Sequence, residues 1–145
     1  MKYLGVDYGD TRTGLATSDL SGTIASGIGQ VSCGGMRRTA EHVASVAMKE
    51  SAGAIVVGYP KNMDGSEGPR CKVVLAFCDL LVEELAKLYP DSHPEIILFD
   101  ERLSTAAAHQ ILNFTDTRGK KRKNVIDTLS AQIILQDYLD RSKRN

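Results

Sequence analysis

The chain has 145 residues, 42% of them hydrophobic, and its 18 lysine and arginine side chains balance 18 aspartates and glutamates. That length suits one ordinary domain burying about two-thirds of its unfolded surface, so a single domain over 1–145 is expected, and its aliphatic content excludes low-complexity disorder. No apolar run approaches the ~20 residues of a membrane helix and no secretory leader precedes Asp7, so a cytoplasmic protein with no membrane partner is expected.

Residues 3–7, Tyr-Leu-Gly-Val-Asp, form a short strand candidate; residues 8–12 are turn-like and 13–18 resume an extended pattern. Residues 24–31 offer a third strand interrupted by glycines, which completes an antiparallel meander. Residues 36–50 carry Thr39, Val43, Val46 and Ala47 at helical spacing. Residues 54–58 are a continuous apolar run closed by Tyr59-Pro60, as in a strand buried on both faces. A longer helix is expected over 66–88, with Val73, Phe77, Leu80, Leu81, Leu85 and Leu88 as its apolar stripe. Cys71 and Cys78 share that helix and read as core thiols. With Cys33 they form no CxxC, which favours reduced cysteines over a disulfide frame or a zinc site. Another buried strand is expected over 95–99, then a helix over 104–112, a polar basic stretch over 113–123 and a last helix over 124–140. Hairpins followed by alternating helices and strands imply an α/β fold: a mixed five-stranded sheet, antiparallel at one edge and parallel elsewhere, flanked by helices. Ribonuclease-H-like domains have this layout.

The zero net charge conceals an asymmetry. Residues 1–117 carry 10 basic and 15 acidic side chains, whereas residues 118–145 carry 8 and 3. Arg118, Lys120, Lys121, Arg122 and Lys123 place five cations within six residues. Such a block repels itself and reads either as a solvated loop or as a contact for a polyanion.

Several acids sit on segments that otherwise form core. Asp7 ends the first strand on the face shared by Tyr3 and Gly5, and Asp100 and Glu101 follow an apolar strand. Asp127 falls in the first turn expected of the last helix. Ser130 and Ala131 come three and four positions later, small enough to let that helix approach the sheet. Each acid has an ordinary explanation: Asp7 bonded to turn amides, Glu101 at a surface strand end, Asp127 complementing a helix N-terminus. Three carboxylates gathered at one point would repel unless protonated or neutralised, and a hard divalent ion such as Mg²⁺ is the natural counter-charge. The histidines have no such pattern; His42, His93 and His109 read as surface or packing residues.

Gly5-x-Asp7-x-Gly9-x-x-Arg12-x-Gly14-x-Ala16-x-Ser18-Asp19 resembles the opening motif of the YqgF/RuvX family of Holliday-junction-resolvase-like proteins. Val56-Val57-Gly58-x-Pro60 with Asp64-Gly65-Ser66-Glu67-Gly68 is similar to its second block, and Asp100-Glu101-Arg102-Leu103-Ser104-Thr105-x-x-Ala108 to its third. Asp127-x-x-Ser130-Ala131-x-x-Ile134-Leu135-Gln136-x-Tyr138-Leu139 is similar to its fourth, with Ser130 where alanine is more usual. The resemblance implies a ribonuclease-H-like fold, a cytoplasmic setting and a nuclease that matures the precursor of 16S ribosomal RNA. The family's acids map onto Asp7, Glu101 and Asp127, as catalytic residues and metal ligands. The family's DNA-junction label is an analogy of fold, not of substrate.

The chemistry so implied is phosphodiester hydrolysis assisted by two Mg²⁺ (or Mn²⁺) ions, with Asp7 touching both and Glu101 and Asp127 completing the site. Arg12 and Arg102 are candidates for phosphate contacts, or for salt bridges that lock a neighbouring acid. The basic run 118–123 is suited to backbone contacts beside the metals. The expected partner is nucleic acid, ribosomal RNA precursor before structured DNA, cut as an endo- or exonuclease, with the protein a monomer or weak homodimer. Backbone contacts carry no base information, so RNA and DNA are not distinguished. Cleavage of four-way DNA junctions is the alternative activity. A sugar-kinase or actin-like domain opens with the same Gly-x-Asp-x-Gly but closes two such domains over a nucleotide, so no nucleotide cofactor is expected. A non-catalytic RNA-binding or transcription-associated module is the other alternative, against which the three acids argue.

Overall fold

The computed structural model describes residues 1–32, 34–100 and 119–143, and of residues 119–127 the backbone only. Its elements are β1 (Tyr3–Asp7), β2 (Thr13–Ser18), β3 (Ala25–Val31), α1 (Met36–Lys49), β4 (Ala54–Tyr59), α2 (Pro69–Leu88), β5 (Glu95–Asp100) and α3 (Gly119–Ser142). The strands form one sheet in the order β3-β2-β1-β4-β5, with β1, β2 and β3 antiparallel and β1, β4 and β5 parallel. This is the expected mixed sheet. Cys33 and the helix expected over 104–112 lie outside the described residues.

Strand alternation divides the sheet between two layers. Leu4 and Val6 of β1, with Ile55 and Val57 of β4, face α1 and α2 and are fully buried with Val43, Phe77, Leu81 and Leu85. Tyr3 of β1 and Val56 of β4 turn the other way, towards Ala131, Ile134, Leu135 and Leu139 of α3. Every residue of β4 is buried, which is why its sequence is continuously apolar. Glu84 accepts from Arg37 at 2.9 Å across the α1–α2 contact and from Lys87 at 3.0 Å within α2. Those two cations hold its carboxyl below the usual glutamate range, the Lys87 bond contributing most.

Two helix starts differ from the sequence expectation. α2 begins at Pro69, not at 66, because Gly68 supplies the cap position and proline suits the first helical residue. Ser66 instead bonds the Asp64 carboxylate through its amide and hydroxyl. α3 begins at Gly119, so Lys120, Lys121, Arg122 and Lys123 are helical and are not a loop. Lysine and arginine are good helix formers, and no glycine or proline interrupts 120–142, so the packed part of the helix propagates back through them.

Cys71 and Cys78 are buried, as their helical spacing suggested. Burial, helped by the Asp79 charge, pushes the Cys78 thiol up to about 11. A buried thiol so held is rarely a thiolate near neutral pH, so the reaction of Cys78 with a thiol-specific disulfide reagent is expected to be far slower in native than in urea-unfolded protein; equal rates would place it outside the core.

Candidate active site at the C-terminal edge of the sheet

β1, β4 and β5 run parallel, so their C-terminal ends share one edge of the sheet. Val6 pairs with Val57, and Tyr59 pairs with Asp100 at the end of β5. Asp7, half-buried, is the last residue of β1 and lies on the same face as Tyr3 and Gly5. Asp100 is two strands away, about 10 Å in interstrand spacing.

The face that bears Asp7 is the one α3 covers. A Cβ on Gly5 would stand 2.8 Å from the Leu135 Cβ and 3.1 Å from the Ala131 carbonyl oxygen, so the helix backbone lies directly on this residue. Tyr3 meets Tyr138 edge-to-face with ring centroids 5.7 Å apart. Tyr138 against Tyr3, then Leu135 and Ala131 over Gly5, fix α3 as running opposite to β1. Gly27 of β3, in the same cross-strand row as Gly5 through Ala16, meets Thr128, so the N-terminal part of the described contact surface of α3 extends from β1 to β3. Asp127 is the ninth residue of α3, not in its first turn, so complementing the helix N-terminus no longer accounts for it.

Arg12 is half-buried in the turn between β1 and β2, immediately before Thr13. Gly9 makes this turn possible, since a Cβ there would collide with the Arg12 carbonyl oxygen. Glu101, Arg102 and Arg118 lie outside the described residues, and Asp127 and Lys120 to Lys123 are described by backbone alone. Among the described residues, no three histidine, cysteine, aspartate or glutamate side chains come together to hold a metal. His42 and His93 are exposed, in keeping with surface roles.

Several motif residues prove to be braces. Asp19 accepts from Ser21 Oγ at 2.6 Å and from the amides of Thr23 and Ile24 at 2.7 and 3.1 Å. These bonds, the Ser21 hydroxyl first, hold its carboxyl at about 2 and close the β2–β3 turn. Gln136 accepts from the Ala25 amide at 2.9 Å and donates to the Thr23 carbonyl at 2.9 Å, while Gln132 donates to the Ala25 carbonyl at 3.2 Å. The two glutamines pin the start of β3 to α3. Gly27 completes the fit, because a Cβ there would lie 2.5 Å from the Thr128 methyl. The sequence reading gave Gln132 and Gly27 no role. The available signal was glycine inside a strand, which marks close approach by another element.

A mixed sheet with acids at the ends of its parallel strands and a helix laid across the first of them is the ribonuclease-H-like arrangement of resolvases. A Thermus thermophilus RuvC bound to a Holliday junction superimposes with a TM-score of 0.56 at 13% identity, covering 98% of this chain and 96% of that one. A fowlpox virus Holliday junction resolvase gives 0.55 at 13% identity, covering 98% and 99%. At such identity the likeness is one of fold. The family described as "RuvX: Holliday junction resolvase" matches residues 1–141, and this chain belongs to it. A relative from Clostridium tetani is 39% identical over 97% of this chain and 96% of its own length. Another, from Thermoanaerobacter pseudethanolicus, is 42% identical over 99% of each. Both carry the name "Putative pre-16S rRNA nuclease".

The Gly5 contact is directly testable. Gly5→Ala is expected to destabilise the fold by about 1–3 kcal/mol in urea denaturation, because the added methyl must displace α3. Combining it with Leu135→Ala should cost less than the sum of the two single changes; strict additivity would show that the contact is not tight.

Proposed function

We propose that this protein is a metal-dependent nuclease that hydrolyses phosphodiester bonds in the precursor of 16S ribosomal RNA, in the cytoplasm. The observation that carries the reading is the half-buried Asp7 at the end of β1, on the sheet face covered by α3, the helix that bears Asp127. The names of full-length relatives give the substrate class. Glu101 directly follows Asp100, the last residue of β5, in the sequence. Asp7, Glu101 and Asp127 are then the catalytic carboxylates.

Their donor set is carboxylate oxygen without thiolate or imidazole, which fits a hard divalent ion, Mg²⁺ or Mn²⁺, and two such ions are proposed. When bound, these ions supply an activated water and stabilisation of the departing oxygen. The protein's part is to hold the three carboxylates charged and fixed, and to align the phosphodiester through the guanidinium groups of Arg12 and Arg102. The cations at the start of α3 oppose the helix dipole and repel one another, so a bound polyanion relieves both penalties. This supports Arg118, Lys120, Lys121, Arg122 and Lys123 as backbone contacts for RNA. Cleavage of four-way DNA junctions is the second reading, favoured by the description of the family.

Asp7→Asn keeps the shape and removes the charge. It is expected to leave a folded protein whose Mg²⁺-dependent cleavage of precursor ribosomal RNA falls by roughly a hundredfold or more; cleavage at the parental rate would sink the proposed site. A parallel assay on four-way DNA decides between the two substrates. Saturating Mg²⁺ should also raise the melting temperature of the parent and not of Asp7→Asn.

Replacing Lys120, Lys121, Arg122 and Lys123 by alanine separates affinity from chemistry. Each lost phosphate contact should reduce the slope of log affinity against log salt by about 0.7, alike for many single-stranded sequences, while turnover at saturating RNA changes much less. Identical slopes for parent and variant would remove these residues from binding.

A further inference from the structure

The second motif block, from Pro60 to Gly68, and the start of α2 bear no part of the proposed chemistry, yet they are built with care. Asn62 and Ser66 are tied by an amide-to-carbonyl bond of 2.9 Å and a side-chain bond of 3.0 Å. Gly65 takes a positive φ of 88°, open to glycine, and donates to the Asn62 carbonyl at 2.8 Å. The Tyr59 hydroxyl donates to Glu67, a bond that pushes the phenol up. These braces fix the place where α2 starts, with Gly68 as cap and Pro69 as first residue.

What they position is Arg70. Its Nη1 donates to Asp10 Oδ1 at 2.8 Å and its Nη2 donates to the Tyr8 carbonyl at 3.2 Å. The Tyr8 ring is stacked on Phe77, one face of α2, with centroids 4.3 Å apart. Tyr8 is the residue after Asp7, and Asp10 is in the same turn. One planar guanidinium on α2 thus grips both sides of the turn that leaves Asp7, with its two donating nitrogens held apart in a rigid fork that a lysine's compact ammonium lacks.

We infer that Arg70 is a positioning residue for the metal site: it clamps the Tyr8–Asp10 turn against α2 and so holds the Asp7 carboxylate where a divalent ion needs it. The inference rests on the metal-dependent reading above. Its sign differs from that of simple electrostatics. Removing a positive charge near a cation site strengthens cation binding, whereas loosening the Asp7 turn weakens it.

The test uses the full chain with Mn²⁺ as probe, read by the loss of the free-ion paramagnetic resonance signal, together with hydrogen–deuterium exchange of the metal-free protein. Arg70→Ala is expected to weaken Mn²⁺ binding severalfold and to speed exchange over residues 8–13 severalfold, with β3 and α1 unchanged. Arg70→Lys, which keeps the charge, should move both quantities the same way but less, and Asp10→Asn, which weakens one of the two grips, should fall between Arg70→Ala and the parent. Unchanged or tighter Mn²⁺ binding by Arg70→Ala, or unchanged exchange over 8–13, overturns the inference. So does a weaker RNA affinity with unaltered Mn²⁺ binding, which would make Arg70 a substrate contact. A parent that binds Mn²⁺ through Asp7 but cleaves no nucleic acid ends the nuclease reading while leaving this clamp intact; a parent that binds no Mn²⁺ overturns both.

Discussion

The approach of α3 to the sheet is the constraint on which the site depends. Two positions without side chains, Gly5 in β1 and Gly27 in β3, let the helix backbone and Thr128 descend where any Cβ would hold them away. Close packing of this kind is intolerant of added volume, since the contact is with backbone and Cβ and not with a flexible chain end. It is reinforced at both sides: Gln132 and Gln136 hydrogen-bond to the backbone at the start of β3, and Tyr138 nests between Tyr3 and Phe99. These contacts together fix the depth and direction of the helix that bears Asp127.

A second constraint acts from the opposite layer. The turn leaving Asp7 is short and tight, with Gly9 pressed against the Arg12 carbonyl. On its outer side it is gripped by Arg70 and by the stack of Tyr8 on Phe77. Asp7 is therefore the junction of two layers, α3 determining what faces it and α2 determining where its turn lies. The second motif block, which bears none of the proposed catalytic acids at the edge of the sheet, finds its reason in this division: it builds the start of α2, whose Arg70 grips the turn after Asp7.

The proposed nuclease function gives this edge a chemical meaning. Full-length relatives carry the name "Putative pre-16S rRNA nuclease", and the family described as a Holliday junction resolvase matches residues 1–141. On the proposed reading, carboxylates at the ends of parallel strands, a covering helix and a run of cations at the start of that helix serve phosphodiester chemistry together. A hard ion needs the acids, and a polyanion needs the cations.

Much was legible in the sequence because the signals were local. The continuous apolar run of β4, the period of α1 and α2, and the strand-end position of Asp7 all follow from alternation and helical spacing, which neighbouring residues enforce on one another. Helix boundaries were less legible. The cationic segment 120–123 reads as a loop by charge but is helical, since the packed remainder of α3 carries it along. Arg70 gave no signal at all, because its partners Tyr8 and Asp10 are about sixty residues away and meet it only once α2 lies beside β1. The sequence by itself determined which residue types could serve a metal and a polyanion, and which segments would be strands or helices. Only the tertiary structure decided that α3 crosses β1 over Gly5 and that a guanidinium from α2 grips the turn that leaves Asp7. Contacts between distant segments depend on packing depth and register, and no local pattern encodes either.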